Sequence, residues 1–155
     1  MNNDYLVFFF TKITSEISFA ILVLIILHIL IMQGRRKEAS FVFISSLHTL
    51  AIVWILKNLF KIERPENSII KVDGYAFPSG HAALSIFLGY ITYILFVKKL
   101  ENKYKYPITL GIIMLVISVG LSRLYFGVHT PIQVLAGYFI GIITPILIKK
   151  FSNKI

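Results

Sequence analysis

Apolar residues in this chain come in five long runs, and a short polar stretch separates each run from the next. Each run holds roughly 15 to 18 residues, which is about 23 to 27 Å of helix, slightly less than the ~30 Å hydrocarbon core of a bilayer unless flanking residues extend it. Apolar runs of this length predict membrane-spanning helices. The predicted spans cover residues 17–32, 39–56, 81–97, 107–121 and 131–148.

The stretch before the first run has a different pattern. Residues 5–10 are apolar, but residues 11–16 are mostly polar, so we interpret the beginning of the chain as an interfacial segment, which leaves room for a sixth span. No internal repeat, low-complexity tract or flexible linker divides the sequence. The pattern therefore predicts an all-α integral membrane helical bundle with about five transmembrane helices. We expect it to form a single domain over residues 1–155.

Composition also indicates a multi-pass membrane protein. Hydrophobic residues make up 57% of the 155 positions and charged residues 15%, and the mean hydropathy of +0.80 exceeds what a soluble domain of this size needs. The sequence contains no cysteine, which excludes disulfides, thiol nucleophiles and cysteine metal sites.

The distribution of basic residues predicts an orientation. With five spans, one face receives ten basic residues against two acids, whereas the other face has a mixture of both signs. The strongly basic face is cytoplasmic by the positive-inside bias. We interpret the net charge of +9 as a topology signal and expect no nucleic-acid binding, because the cations occupy separate short loops. The ten are Arg35, Arg36, Lys37, Lys98, Lys99, Lys103, Lys105, Lys149, Lys150 and Lys154.

Three short motifs contain the residues that indicate chemistry. They are KNLFKIERP with Lys57 and Arg64, the tetrad PSGH over residues 78–81, and SRLYFGVHTPIQ with Arg123 and His129. Guanidinium groups, a lysine and backbone N–H groups at a helix start bind a doubly charged phosphate well. Two imidazoles and a hydroxyl add proton-transfer and nucleophilic groups. The motifs therefore predict phosphoryl transfer through histidine, with no metal and no cofactor.

The predicted topology brings these motifs to one face. Lys57 and Arg123 end the second and fourth spans, whereas His81 and His129 precede or open the third and fifth. All of them thus lie on the non-cytoplasmic face, partly covered by the polar loop 61–77. Each motif alone also has a simpler interpretation, since interfacial cations often anchor helix ends and PSG is a common helix-capping turn. The residue spacing within all three motifs, taken together, favours a phosphate-binding site over these simpler interpretations.

The motifs resemble the three-part signature of the type 2 phosphatidic acid phosphatase superfamily over residues 57–133. The resemblance implies that His129 is the nucleophile that forms a phosphohistidine and that His81 protonates the leaving oxygen. It further implies that five residues bind the phosphate. They are Lys57, Arg64, Ser79, Gly80 and Arg123.

Gln133 is the one departure from that signature, because the family has Asp at this place. In the family this carboxylate orients the nucleophilic histidine and stabilises its positive charge. A glutamine is neutral and one methylene longer, and its amide can turn to donate and select the wrong tautomer. In a serine protease the comparable Asp to Asn change costs about 10⁴ in turnover. We therefore expect Gln133 to be catalytic but to weaken the activity.

The placement of the site at a membrane surface favours a lipid phosphate or pyrophosphate as the substrate, with the bilayer holding its tails. Aromatic residues at the interface fit this interpretation; they are Phe60, Tyr75, Phe77, Tyr125 and Phe126. The predicted function is an integral lipid phosphatase of the cell membrane, acting on a substrate such as undecaprenyl pyrophosphate. Two alternatives stay open because of Gln133: a lipid-phosphate binding protein with little turnover, and a lipid phosphotransferase.

Two further predictions concern packing. His28 and His48 lie inside spans and belong to no motif, so we expect both to be neutral, hydrogen-bonded packing residues. Gly137 and Gly141 form a Gly-x-x-x-Gly pair in the last span, which we expect to pack within the monomer.

Overall fold

The computed structural model describes residues 16–152 and shows a bundle of α-helices in this part of the chain. The helices are α1 (Glu16–Met32), α2 (Arg36–Phe60), α3 (Gly80–Thr92), α4 (Asn102–Tyr125) and α5 (Pro131–Ser152), and α3 continues as a π-helical segment, Tyr93–Val97. The prediction of an all-α membrane bundle is confirmed. The predicted interfacial segment, residues 5–10, lies outside the described residues.

Three of the helices are longer than predicted. α2, α4 and α5 contain 25, 24 and 22 residues, or about 33 to 38 Å of helix, so flanking residues do extend these three spans to the thickness of the bilayer core. The apolar runs underestimate length because polar residues at both ends continue the helices. Pro107, for example, was predicted to begin the fourth span but lies inside α4.

The surface of the bundle is strongly apolar. Leu24, Trp54, Met114 and Phe139 are each at least 61% exposed and lie in different helices. Within residues 16–152, four helices are long and apolar enough to cross a membrane, and α1 is a shorter apolar helix. So large an apolar surface is normal for a lipid-facing bundle and unusual for a soluble monomer. The chain is a multi-pass membrane protein.

His28 and His48 lie on this exposed surface. The expected packing role is wrong for both, whereas the expected hydrogen bond is present at His48. His48 Nδ1 donates to the carbonyl oxygen of Ile44 at 2.8 Å, within its own helix. This local bond explains how an imidazole is accommodated on a lipid-facing side, because it satisfies one ring nitrogen without a second helix.

α3 is the central helix, and its closest neighbour is α5. A Cβ atom at Gly137 would lie 2.4 Å from the Ser79 carbonyl oxygen, and one at Gly141 would lie 2.0 Å from that of Ala83. The predicted packing of the glycine pair within the monomer is confirmed. Because α3 and α5 both begin at the same end of the bundle, this close contact fixes the first residues of the two helices relative to one another.

Substitution of Gly141 tests the importance of this contact. We expect Gly141→Ala to lower the free energy of unfolding by about 1–3 kcal/mol, because the added methyl group overlaps the α3 backbone. Gly111→Ala is the matched control: Gly111 lies in α4 with nothing within 4 Å of an added Cβ, so this variant should be neutral or stabilised. Thermal unfolding in detergent measures both. Equal melting temperatures for the two variants would contradict close α3–α5 packing.

The bundle has two distinct ends. At the first, which we call the basic end, Arg35 pairs with Glu38 and donates to the Leu95 carbonyl oxygen at 3.2 Å. At the other, which we call the site end, the loop 61–79 packs on the connection between α4 and α5 through a backbone bond from Ile69 to Phe126 of 2.9 Å.

Candidate active site

All eight residues that the sequence predicts as site residues meet at the site end. They come from the last turns of α2 and α4, the loop 61–79, the first residues of α3 and α5, and the connection between α4 and α5. The N–H of Ser79 donates to the Gln133 carbonyl oxygen at 3.0 Å, which joins the beginnings of α3 and α5 directly. The eight are Lys57, Arg64, Ser79, Gly80, His81, Arg123, His129 and Gln133.

Gln133 orients the ring of His129. Its Oε1 lies 3.2 Å from His129 Nδ1 and accepts a second bond, 3.0 Å long, from the backbone N–H of Thr130. A backbone N–H requires an acceptor, so the amide oxygen points toward the histidine and the amide nitrogen points away. Of the two orientations open to a glutamine at this position, the amide therefore takes the one in which its oxygen accepts from His129. His129 carries its proton on Nδ1.

The bond between Gln133 Oε1 and the Thr130 N–H also caps the N-terminus of α5. Thr130 precedes Pro131, the first helical residue, and Gln133 is the third residue of the helix. A Gln or Glu at this position commonly reaches back to the N–H of the capping residue, which is half of a capping box. The helix start and the histidine orientation thus depend on one oxygen atom.

Arg64 lies on the opposite side of the His129 ring. Its Nη1 is 3.3 Å from His129 Nε2 and donates to the Val128 carbonyl oxygen at 3.1 Å. A guanidinium only donates, so Nε2 acts as the acceptor. Arg64 and Gln133 therefore require the same tautomer, and the lone pair of Nε2 faces a cation.

Arg64 also ties down the loop 61–79. Its Nε and Nη2 donate to the carbonyl oxygens of Gly74 and Asp73 at 3.1 and 3.4 Å. Lys57 does the same from α2, since its Nζ donates to the carbonyl oxygen of Tyr75. Both cations thus hold the loop against the site by way of backbone oxygens.

Arg123 is the most deeply buried cation of the group. It is only 2% exposed. Its Nε is 3.2 Å from Ser122 Oγ, and its guanidinium lies 5.4 Å from the centre of the Phe126 ring. Burial of this kind keeps the guanidinium in one position and strengthens its field in the site.

Ser79, Gly80 and His81 form the beginning of α3. Ser79 is the N-cap residue, and its buried Oγ has no hydrogen-bond partner among residues 16–152. Lys57, Arg64, Arg123 and His129 all lie within electrostatic range of His81. The His81 ring also meets the edge of Phe19 from α1, with ring centres 6.3 Å apart.

The environment lowers the pKa of His129 to about 4, first through burial and then through the positive charge of Arg64, although the Gln133 hydrogen bond acts in the opposite direction. His129 is therefore neutral at pH 7. A neutral imidazole with a fixed Nδ1–H and an accessible Nε2 lone pair is the form that acts as a nucleophile or base.

Among the described residues, no carboxylate takes the place of Gln133. The side chains of Glu63, Glu66 and Asp73 are exposed in the loop, and within the described residues none of them hydrogen-bonds to His129. The described part of the chain also contains no group of three or more histidine and acidic side chains that could bind a metal ion.

Sequence reasoning missed the backbone groups of the site. The N–H of Thr130 and the carbonyl oxygens of residues 73–75 were not predicted to bind the site side chains. The pattern Thr-x-x-Gln over residues 130–133 is a recognisable capping signal and could have indicated the first of these contacts.

A sequence profile of the PAP2 superfamily matches residues 38–155, most of the chain. The chain belongs to the PAP2 superfamily. This finding confirms the resemblance to type 2 phosphatidic acid phosphatases and includes all eight site residues within the matched region.

Several curated PAP2 proteins are similar in sequence. Phosphatidylglycerophosphatase B of Bacillus subtilis is 30% identical over 104 residues, which are 65% of this chain and 51% of that protein. Undecaprenyl-diphosphatase of Sulfolobus acidocaldarius is 32% identical over 120 residues, 73% of this chain and 54% of that protein. Human sphingosine-1-phosphate phosphatase 2 is 34% identical over 108 residues, which are 59% of this chain and 26% of that protein. The chain thus spans about half or less of each relative.

Two solved structures share the fold. The transmembrane PAP2-type phosphatidylglycerolphosphate phosphatase of Bacillus subtilis matches with a TM-score of 0.78 at 22% identity, over 94% of this chain and 74% of that one. LpxE of Aquifex aeolicus matches with a TM-score of 0.72 at 23% identity, over 95% of this chain and 85% of that one. The helices of this PAP2 protein are therefore arranged as in membrane phosphatases.

Proposed function

We propose that this PAP2 protein hydrolyses the phosphate or pyrophosphate ester of a membrane lipid through a phosphohistidine on His129, without a metal ion. The observation that carries the proposal is the double constraint on the His129 ring, by Gln133 at Nδ1 and Arg64 at Nε2. The named relatives are lipid phosphatases, which supports the reaction class. Because His129 is held with its proton on Nδ1 and a lone pair on Nε2, the site favours turnover over the alternative of a protein that only binds the lipid phosphate.

Substrate binding uses the cations and the beginning of α3. Lys57, Arg64 and Arg123 neutralise the phosphoryl oxygens, and Arg64 exchanges its bond to Nε2 for one to the phosphate. Ser79 Oγ, which is buried without a partner among the described residues, donates to a further oxygen. The Gly80 N–H is one of the first N–H groups of a helix, which lack partners inside the helix and favour an anion.

In the first chemical step, the lone pair of His129 Nε2 attacks phosphorus. The bond between phosphorus and the lipid oxygen breaks, and its electron pair stays with that oxygen, which takes a proton from the imidazolium form of His81; the negative charge of the bound phosphate favours this protonated form. In the second step His81 accepts a proton from water, the water oxygen attacks phosphorus, and the N–P bond breaks. Inorganic phosphate leaves, and His129 regains its lone pair. The fixed cations stabilise the charge in both transition states.

The surroundings of His81 support a lipid as the substrate. Phe19, which contacts the His81 ring, also lines an apolar groove of about 220 Å³ between α1, α2 and α3. The groove faces the bilayer side of the bundle and is lined further by residues such as Val23, Leu50 and Leu84. A tail in this groove keeps its phosphate at the site end. Soluble phosphate esters lack that contact.

Phosphate release by the purified protein tests the proposal. The substrates are phosphatidylglycerophosphate, undecaprenyl diphosphate, sphingosine-1-phosphate and phosphatidic acid in mixed micelles, with p-nitrophenyl phosphate as the soluble control. We expect release from at least one lipid at a rate well above that of the control, unchanged by EDTA and inhibited by vanadate, which adopts the five-coordinate geometry of phosphorus under attack. Loss of activity in EDTA, with recovery on adding Mg²⁺, would rule out the metal-free mechanism.

We also propose that the protein resides in the cell membrane with the site end outside the cytoplasm, since the basic end satisfies the positive-inside bias. Asn67 at the site end and Asn102 at the basic end are both exposed, and the chain has no cysteine. In intact cells an impermeant maleimide should label Asn67→Cys, and should label Asn102→Cys only after permeabilisation. The reverse pattern would invert the orientation.

A further inference from the structure

A second apolar groove lies at the basic end, far from the candidate active site. It has a volume of about 530 Å³ and is lined by residues of α1 and α2, with one cation among them. The lining residues are Leu27, Ile31, Arg36, Ala39, Ser40 and Phe43. Ser40 and Lys57 are 17 positions apart in α2, or about 25 Å along the helix, so the basic end of this groove lies far from the phosphate site, although Leu27 and Phe43 also line the apolar groove beside His81.

Arg36 differs in its surroundings from Arg35 beside it. Arg35 is engaged by Glu38 at 3.2 Å, by the Leu95 carbonyl oxygen and by the Phe96 ring. The Arg36 side chain is exposed and makes no hydrogen bond or ion pair within residues 16–152. Glu38, the acid nearest in sequence, already binds Arg35. The positive charge of Arg36 therefore stands at the end of an apolar groove without a neutralising carboxylate in the described chain.

We propose that this groove, which we call the lower groove, binds an anionic phospholipid. One acyl chain lies along Leu27, Ile31 and Phe43, and the headgroup phosphate pairs with the Arg36 guanidinium. The charge of the groove is complementary to this ligand, and its volume falls in the roughly 300–1,000 Å³ range of ligand sites. The surrounding basic residues, such as Lys37 and Lys99, strengthen the attraction for anionic headgroups.

Diffuse attraction by the basic end is the competing explanation. A diffuse field would concentrate anionic lipids around the whole end, with every basic residue contributing alike. A built site instead depends on the one cation that lines the groove. Arg36 and Lys150 are suitable for this comparison, because both are exposed basic residues at the basic end and only Arg36 lines the lower groove.

Lipid quenching of a local fluorophore measures occupancy at the groove itself. Ser40→Cys gives the cysteine-free chain one thiol in the lower groove, and Met114→Cys gives one on the exposed face of α4. Each is labelled with bimane and placed in nanodiscs of phosphatidylcholine that contain nitroxide-labelled phosphatidylglycerol or nitroxide-labelled phosphatidylcholine with the same tails. The two nitroxide lipids carry the same tails, so the depth of the fluorophore affects both quenching efficiencies equally. Their ratio therefore reports which headgroup is preferred near the label. Phosphatidylglycerol carries a diester and no terminal phosphate, so hydrolysis does not complicate the reading.

We expect the preference for phosphatidylglycerol over phosphatidylcholine to be about fivefold at Ser40→Cys and near one at Met114→Cys. Adding Arg36→Gln should remove the preference, whereas adding Lys150→Gln should leave it nearly unchanged. Equal losses from the two charge removals, or equal preferences at the two labelled positions, would overturn the proposal. Equal preferences at the two labelled positions overturn the proposal without any charge variant, so the proposal stays open to refutation even if Arg36→Gln does not fold.

Discussion

Replacing His129 with alanine should lower phosphate release by about 10⁴-fold or more, because it removes the nucleophile that forms the covalent intermediate. The remaining cations bind the substrate, so KM should change far less than kcat. The measurement is release from the best lipid substrate by detergent-purified protein. A second readout is the phosphoprotein trapped after a short reaction, which should be stable in base and labile in acid in the wild type and absent from the variant.

His48→Ala is the matched control for this prediction. His48 is the same residue type on the exposed side of α2, bonded only within its own helix, so its removal should leave turnover within about twofold. A His129→Ala protein that unfolds at the wild-type temperature and still forms the base-stable phosphoprotein would show that another residue is the nucleophile. His81 would then be the first candidate.

The helical bundle could be predicted from the lengths of the apolar runs. A segment in the bilayer must satisfy its backbone polar groups internally, so a long apolar run has few structures available to it. Helix ends were predicted less well. Residues such as Arg36 and Asn58 are polar and so fall outside the apolar runs, yet they continue α2 because their side chains reach the interface while the backbone stays helical. Arg123 continues α4 for a different reason, since its guanidinium is buried in the site.

The meeting of the site residues could be predicted for a topological reason. Successive spans run in alternating directions, so the end of α2, the beginning of α3, the end of α4 and the beginning of α5 share one face. Motifs that stand at these four span boundaries are therefore brought close together in the folded protein. The grouping of Lys57, His81, Arg123 and His129 follows from this rule together with the position of each motif at a span boundary.

The contacts of the loop 61–79 could not be predicted in the same way. Arg64 and Lys57 bind the backbone oxygens of residues 73–75, and every residue type offers the same carbonyl. Which carbonyls face the site depends on how the loop packs against the connection between α4 and α5, as in the bond from Ile69 to Phe126. Such tertiary contacts leave no local pattern in the sequence.

Gln133 shows where the sequence interpretation and the structure differ most. The Asp to Asn precedent loses much of its rate because the neutral amide favours the wrong histidine tautomer. Here the Thr130 N–H holds the amide oxygen toward His129, so that part of the loss does not occur. What remains is the absence of a negative charge beside the imidazole as it becomes positive.

Removing the amide should therefore be costly. Gln133→Leu deletes the acceptor of His129 Nδ1 and leaves the Thr130 N–H without its side-chain acceptor, so the ring loses its fixed orientation. We expect kcat to fall by about 10²-fold or more with a smaller change in KM. If Gln133→Leu lowers the stability of the protein but leaves kcat unchanged, then Gln133 serves only as a helix cap.

Adding charge at the same place should have the opposite effect. Gln133→Glu keeps the length of the side chain and its reach to Thr130, and it replaces a neutral hydrogen bond to the imidazole with a charged one. Charged hydrogen bonds are worth about 1.5–3 kcal/mol against about 0.5–1.5 kcal/mol for neutral ones, and 1.4 kcal/mol is tenfold in rate. We expect kcat to rise about tenfold with little change in KM, and Gln133→Asp to raise it less because it is one methylene shorter. Neither variant should have measurable activity when combined with His129→Ala. If both carboxylates slow the reaction, charge development on His129 does not limit turnover, and the neutral amide has a positive role at this position.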